Sequence, residues 1–181
     1  MTCQLFPTYT GPVTEDATEP RWLDEDEQRA WRAYVSMQAK LNAHLARDIQ
    51  ANTALSMPDF AVLVALTDTC PGSGVRAFSL AETLQWEKSR LSHHLARMEK
   101  RGLITRAGCT EDGRGQQVAV TPAGRAAIEA AAPHHVATVR RLVFDALSPA
   151  EVEALGSIAE RVLERLEAEG PACPAAPCGE F

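Results

Sequence analysis

No part of this 181-residue sequence is a long hydrophobic run. The longest apolar stretch, residues 60–66, is too short to cross a bilayer as a helix. The chain also opens without a basic segment followed by an apolar one, so we expect no secretion signal. These absences predict a cytoplasmic protein with no membrane partner.

A regular cysteine framework is lacking as well. The five cysteines are an odd number without even spacing, which favours free thiols over disulfides in a cytosolic chain. Cys3, Cys173 and Cys178 fall in segments 1–22 and 169–181, whose composition predicts flexible tails. The folded domain is expected between these tails, over residues 23–168.

The sequence offers no recognisable catalytic or metal-binding set. A nucleophile with a base and an oxyanion partner is not visible, so we do not expect an enzyme. Histidines are adjacent at 93–94 and at 134–135, but neighbours on a helix point about 100° apart and make a poor pair of zinc ligands. We therefore expect neither a metal nor a cofactor.

Positive charge is scarce overall, because 18 Lys and Arg face 24 Asp and Glu and the formal net charge is −6. Between residues 85 and 114, however, seven basic residues oppose four acidic ones, which makes that stretch +3 and leaves −9 for the remainder. Phosphate binding requires a local basic surface and not a basic average. The functional surface is therefore expected within this stretch.

Helix start signals divide the chain into elements. Capping patterns predict helix starts at Asp24, Ser56, Ser79, Thr121 and Ser148, and at the last two a proline occupies the first helical position. The first helix should end near Asn52, and the second is apolar nearly all round and so should be buried. Pro133 should kink or split the helix that starts at Thr121.

A helix-turn-helix followed by a hairpin occupies the centre of the chain. A basic helix over about 87–101 follows the turn at Gln85 and stops at Gly102. Residues 103–106 and 117–120 are predicted strands, and the Gly-rich stretch 108–115 is the tip of their hairpin. The fold is therefore predicted to be mainly α with a small β-hairpin (α+β), a winged helix-turn-helix at about 56–121 with flanking dimerisation helices.

The flanking helices carry apolar stripes that the small central lobe has little surface to cover. The stripe on the first helix includes Trp31, Tyr34 and Val35, and that on the last comprises Leu155, Ile158, Val162 and Leu166. A second copy of the chain is the economical partner, which predicts a two-fold homodimer.

The basic helix is a candidate for binding double-stranded DNA. Leu91, Leu95 and Met98 recur on one side, which places on the opposite side Ser89, Arg90, His93, Arg97 and Lys100. Arginine on such a face can pair with guanine in the major groove. Lys88 and Ser89 occupy the first turn, where backbone N–H groups favour phosphate.

The hairpin tip offers a second contact. Arg114 lies on a Gly-rich loop that can reach a narrow minor groove, where the negative potential is enhanced. Asp112 is too close to help bind phosphate and is better suited to orienting Arg114 or holding the turn.

Two segments resemble the MarR (multiple antibiotic resistance regulator) family of winged-helix repressors. SRLSHHLARMEKRGLITR, residues 89–106, is similar to the family's recognition helix and first wing strand. DGRGQQVAVTPAGR, residues 112–125, is similar to its wing and the Thr-x-x-Gly start of the next helix. The resemblance covers residues 23–167. It implies a homodimeric, sequence-specific transcriptional regulator that binds a pseudo-palindromic operator, a repressor released by a small-molecule effector.

Pattern and resemblance together predict both contact sets. The expected DNA contacts are Lys88, Ser89, Arg90, Ser92, His93, Arg97, Arg106, Asp112 and Arg114. The family commonly has Gly where this chain has Gln85, a departure that should shift the recognition helix slightly. The family's effector usually lodges between the dimerisation helices and the DNA-binding lobe, which here implies Trp31, Tyr34, His44, Phe60 and Trp86. Aromatic residues at helical spacing are otherwise core residues, so ordinary packing is the alternative.

Two further functions stay open. Some members of the family sense oxidants through a thiol, and Cys109 in the hairpin, reached by Cys173 or Cys178, would make a redox-sensing regulator of the same fold. An incidental exposed thiol is the simpler interpretation. A winged-helix module that binds only proteins is the other possibility, and the basic helix with Arg114 argues against it.

Overall fold

The computed structural model describes residues 21–68, 74–108 and 116–169, and the chain divides into two units between Ala39 and Lys40. The helices are α1 (Glu25–Asn52), α2 (Met57–Thr67), α3 (Ala77–Leu84), α4 (Lys88–Lys100), α5 (Pro122–Leu142) and α6 (Pro149–Glu169). The strands are β1 (Val75–Arg76), β2 (Ile104–Gly108) and β3 (Gln116–Val120), and a 3₁₀ turn, Phe144–Ala146, joins α5 to α6. The predicted α+β winged helix-turn-helix is confirmed.

Side-chain caps account for most of the helix starts. Ser56 and Asp59 form a reciprocal capping box at α2, in which each side chain accepts from the other's backbone N–H. At α5 the Thr121 hydroxyl accepts from the Gly124 backbone N–H at 2.9 Å, and Pro122 occupies the first turn. The predicted starts of these helices are confirmed, as are those of α1 and α6.

The predicted start of α3 is wrong. The helix begins at Ala77, Arg76 is its N-cap without a side-chain hydrogen bond, and Ser79 lies inside the helix. The reason is β1, a two-residue strand that the sequence pattern did not predict. It pairs with β3 through Val75 opposite Val118, so the sheet fixes where α3 starts.

The three strands form an antiparallel sheet in the order β1–β3–β2. In the predicted hairpin, Ile104 pairs with Val120 and Gly108 with Gln116. Val118 on the central strand is fully buried and anchors the sheet to the helices.

Helix α5 runs through Pro133 without a break, so of the predicted alternatives, a kink or a split, the split is wrong. Pro133 is exposed, whereas Ala131 and Thr138 on either side of it are buried. Packing on both sides holds the helix together although proline removes one backbone hydrogen bond.

The core lies in the second unit, where α2 to α5 and the sheet meet. As predicted, α2 is packed on most sides. The fully buried side chains of the core include Ile49, Val62, Leu63, Leu80, Leu91, Leu95, Met98, Ile104 and Val118. One side of α4 is thereby fixed in the core, and its other side faces outward.

Helix α6 has no buried residue, although it carries an apolar stripe. Its exposed side chains include Val152, Leu155, Ile158, Val162, Leu163 and Leu166. In the first unit, Trp31, Tyr34, Val35 and Met37 of α1 are likewise exposed. Among the described residues no single helix is long and apolar enough to cross a membrane, although α1 and α2 taken as a pair pass that test by length and composition.

Candidate nucleic-acid interface

The turn before α4 is held by Gln85 in the left-handed conformation, with φ 53° and ψ 42°. Such a conformation costs a residue other than glycine about 1–2 kcal/mol. The Gln85 side chain donates to the Glu82 carbonyl at 2.7 Å, and the Trp86 N–H donates to the Ala81 carbonyl at 2.9 Å. These bonds close the end of α3, so glutamine takes the conformation that glycine adopts most readily.

The outer face of α4 is polar and basic, as predicted. Leu91, Leu95 and Met98 are buried, and the exposed side chains are Lys88, Ser89, Arg90, Ser92, His93, Arg97 and Lys100. The N-cap, Glu87, makes no side-chain hydrogen bond to the helix, and the first turn contains no acidic residue. The backbone N–H groups of that turn therefore remain available to an anion.

Three cationic side chains on this helix contact other side chains of the same chain. The Lys88 ammonium lies 4.6 Å from the centre of the Phe78 ring, and the Arg90 guanidinium lies 4.4 Å from that of Trp86. Arg97 donates through Nη2 to His94 Nδ1 at 2.9 Å. These contacts reduce the freedom of long side chains before any ligand arrives.

A buried polar cluster lies beneath α4, centred on Asp59. Arg101 donates to Asp59 Oδ2 at 2.7 Å and to the Ala54 carbonyl at 2.6 Å. His94 Nε2 lies 3.1 Å from Asp59 Oδ1, a close contact that is not an aligned hydrogen bond. Burial acts to raise the pKa of Asp59, but hydrogen bonds from Ser56 and Arg101 outweigh it and hold that pKa below its usual value.

His94 is one of the residues of this region that the sequence pattern was not used to predict. It is buried, and burial lowers the pKa of its imidazole. The signal was present, because residues 91, 94, 95 and 98 follow the i, i+3, i+4, i+7 spacing of a helix face. That spacing places His94 on the inner side of α4 and His93 on the outer side.

The described part of the wing is fastened to α4 by an ion pair. Arg106 on β2 donates through Nε to Glu99 Oε2 at 2.8 Å, and this hydrogen bond holds the pKa of Glu99 below its usual value. The guanidinium of Arg106 is therefore engaged within the chain. Asp112 and Arg114, predicted at the wing tip, lie outside the described residues, as do Cys109, Cys173 and Cys178.

The five residues predicted for an effector pocket have different surroundings. Trp31 and Tyr34 stack with ring centres 5.7 Å apart and are about half exposed, and His44 is exposed. Phe60 is a core residue whose ring lies 4.6 Å from that of His135. Trp86 is half-buried between Arg90 and His94. The alternative of ordinary packing therefore describes Phe60 well.

An open cleft of about 440 Å³ lies elsewhere in the second unit, and neither Phe60 nor Trp86 lines it. Its walls come from α3, α4 and the sheet, and include Arg76, Phe78, Lys88, Ser92 and Gln116. In residues 21–68, 74–108 and 116–169, no three His, Cys, Asp or Glu side chains are grouped as metal ligands.

The family is identified by comparison with individual proteins and solved structures, since no family model matches the chain. Transcriptional regulator HosA of Escherichia coli is 31% identical over 102 residues, which are 56% of this chain and 73% of HosA. AbsC, a MarR family transcriptional regulator from Streptomyces coelicolor, is 35% identical in sequence, and its crystal structure superposes with a TM-score of 0.76 over 83% of this chain and 100% of AbsC.

This chain belongs to the MarR family. Sco3205, a member from Streptomyces coelicolor whose structure contains DNA, is 35% identical, with a TM-score of 0.77 over 87% of this chain and 97% of Sco3205. As a MarR protein, the chain is a DNA-binding transcriptional regulator. The similar proteins are regulators and not enzymes, which confirms the predictions of family and of function class.

Proposed function

We propose that this MarR protein binds operator DNA through the outer face of α4 and the wing. The observation that carries the proposal is that helix α4 is amphipathic. Its basic and hydroxyl side chains are exposed, and its leucine and methionine side chains lie in the core. The Sco3205 complex supports it, because that relative is a MarR regulator bound to DNA.

Each contact has a role set by its position. Arg90 and Arg97 are seven residues apart, or about 10 Å along the helix axis, so they would meet guanines at different base pairs of one major groove. Ser92 and His93 lie on the same outer face for base edges or phosphate. Lys88 and Ser89, beside the uncapped N–H groups of the first turn, would bind a phosphate.

The wing would supply the second contact. Arg106, tied to Glu99, would set the direction of β2, and Arg114 with Asp112 would approach the minor groove from the tip. The acidic remainder of the protein would repel DNA elsewhere on the surface and so restrict binding to this face.

Alanine at Arg90 and at Lys88 should weaken binding in different ways. Arg90→Ala should reduce affinity for the selected operator by about tenfold and relax base preference at one position per half-site. Lys88→Ala should weaken all sequences alike and lower the slope of log affinity against log salt by about one. Arg165→Ala, which removes the same charge from α6, is the control.

The measurement is a gel shift across a salt series, with operators first selected from random DNA fragments by the purified protein. An unchanged base preference in Arg90→Ala would remove that residue from the reading set. If Arg165→Ala weakened binding as much as the other two variants, net charge alone would explain their losses.

The same proposal includes a homodimer formed through the exposed apolar stripes. Helix α6 presents six large apolar side chains without burying any of them, which is unfavourable for an isolated chain in water. A second copy related by a two-fold axis would cover them and present two copies of α4 to a pseudo-palindromic operator.

Glutamate in the stripe should therefore break the dimer. In light scattering after size exclusion, the unsubstituted protein should have twice the mass of one chain, which is 19.6 kDa. Ile158→Glu should have the mass of a single chain. Ser157→Glu, on the opposite side of the same helix, should remain dimeric. Monomeric behaviour of the unsubstituted chain at micromolar concentration would contradict the proposal.

The sign of regulation is proposed from family resemblance. DNA binding would repress transcription, and a small-molecule effector would release the protein. The candidate pocket residues remain Trp31, Tyr34, His44, Phe60 and Trp86. A ligand that reaches Phe60 must displace core packing, because that side chain is buried. A reporter driven by the selected operator should become more active when the protein is removed, and reduced activity would show activation instead.

A further inference from the structure

We propose that His94 is a positioning residue that holds Arg97 ready for DNA, an inference that rests on the proposed function of the α4 face. Arg97 projects from the exposed side of the helix, where its long side chain would otherwise sample many rotamers. Its Nη2 donates to His94 Nδ1 at 2.9 Å. A buried ring thus fixes an exposed guanidinium from one turn away.

The ring that receives this bond is itself fixed on its other sides. His94 Nε2 lies 3.1 Å from Asp59 Oδ1, and Trp86 meets the ring edge-on with centres 5.5 Å apart. Asp59 is in turn held by the Ser56 N–H at 2.9 Å and by Arg101 at 2.7 Å. The N-terminus of α2 therefore sets the position of a side chain on the outer face of α4.

The hydrogen bond also defines the protonation state of the ring. A guanidinium can only donate, so Nδ1 must accept and the single ring proton lies on Nε2, the nitrogen in close contact with Asp59. The charged groups around the ring are Asp59, which favours its protonation, and Arg97 and Arg101, which oppose it. Burial also opposes protonation, so the neutral form that Arg97 needs persists below the usual pKa of histidine.

A positioning role for His94 can be distinguished from a packing role by its dependence on Arg97. If His94 acted only through packing, its replacement would weaken DNA binding whether or not Arg97 were present. If His94 acts by ordering Arg97, it strengthens DNA binding because an ordered Arg97 side chain loses less freedom when it binds. Replacing His94 should then have no effect on DNA affinity once Arg97 has been removed.

Two replacements of similar size separate these roles. Asparagine at 94 places an amide oxygen near the position of Nδ1, where it can still accept from Arg97, whereas glutamine extends its amide towards Asp59. We expect His94→Gln to weaken operator affinity about five- to tenfold, and His94→Asn to stay within about twofold of the unsubstituted protein. In an Arg97→Ala background, His94→Gln should cost less than about twofold.

Nuclear magnetic resonance of the free protein gives a readout that needs no DNA. The ring nitrogens of His94 should report the neutral form with its proton on Nε2. The pKa of His94 should rise in Arg97→Ala, because a positive neighbour has been removed. Arg97 is exposed, so this variant leaves the core intact. An unchanged pKa would overturn the inference.

The DNA measurements distinguish the remaining outcomes. Equal losses for His94→Gln in both backgrounds, with normal binding by the unsubstituted protein, would overturn the positioning role and leave the proposed function standing. If the pKa of His94 rises in Arg97→Ala as expected but the unsubstituted protein binds no DNA, the proposed function would be overturned, and this inference with it.

Discussion

Replacing Gly124 with alanine should destabilise the fold by about 3 kcal/mol. A Cβ atom at this position would lie 2.0 Å from the Leu103 carbonyl oxygen and 3.0 Å from Val120 Cγ2. The Leu103 carbonyl cannot simply move away, because the Thr121 N–H donates to it at 3.1 Å. The first turn of α5 would have to separate from the start of the wing.

Urea denaturation followed by circular dichroism measures this effect. Gly108→Ala is the matched control, because a Cβ atom there meets no atom within 4 Å. The control should change the free energy of unfolding by less than about 0.5 kcal/mol. A Gly124→Ala protein as stable as its control would show that α5 does not approach Leu103 this closely in solution.

Replacing Asp59 with alanine should cost about 3 kcal/mol, the second large effect on stability. The carboxylate caps α2, receives Arg101 and faces the buried His94, so its removal leaves several polar groups without their partner. Asp145→Ala is the control, since its ion pair with Arg140 is exposed at 3.5 Å. That control should cost less than about 1 kcal/mol in the same denaturation experiment.

The contribution of Asp59 should also depend on pH. Its pKa is lowered in the folded protein, so the unfolded state binds a proton more readily. The stabilisation is therefore complete above the unfolded value, about pH 4, and is lost as the pH falls through the lower folded pKa. Stability curves of the unsubstituted and Asp59→Ala proteins should converge in that acidic range. A constant gap between them down to pH 2 would contradict this assignment.

Local chemistry was sufficient to predict much of the fold. Ser56, Thr121 and Ser148 each cap a helix within a few residues, so their role can be read from neighbours in the sequence. Strand β1 was missed because two residues carry no pattern, and it exists only through pairing with β3, some forty residues later. The start of α3 was misplaced for the same reason.

The outer face of α4 was predictable because it follows from helix periodicity and charge. The cluster beneath it was not, since Arg101 and Asp59 are 42 positions apart and meet only in the folded chain. Trp86 illustrates the same limit. Its aromatic character suggested a pocket, whereas its position in the fold places it against the guanidinium of Arg90.

The Thr-x-x-Gly sequence at the start of α5 connects this helix to α4 and the wing. Thr121 caps the helix and also donates its hydroxyl to the Gly102 carbonyl at 2.6 Å. Gly124 then provides the space for Leu103. Together the two residues join the end of α4 and the start of the wing to α5.

The uncovered stripe of α6 makes stability a matter of mass action. An isolated helix of this length is marginal in water, and α6 buries no residue within its own chain. If a second copy supplies the missing contacts, part of the folding free energy is a binding energy, and the melting temperature must rise with protein concentration. A regulator present at a few copies per cell would then hold α6 less firmly than one that is abundant.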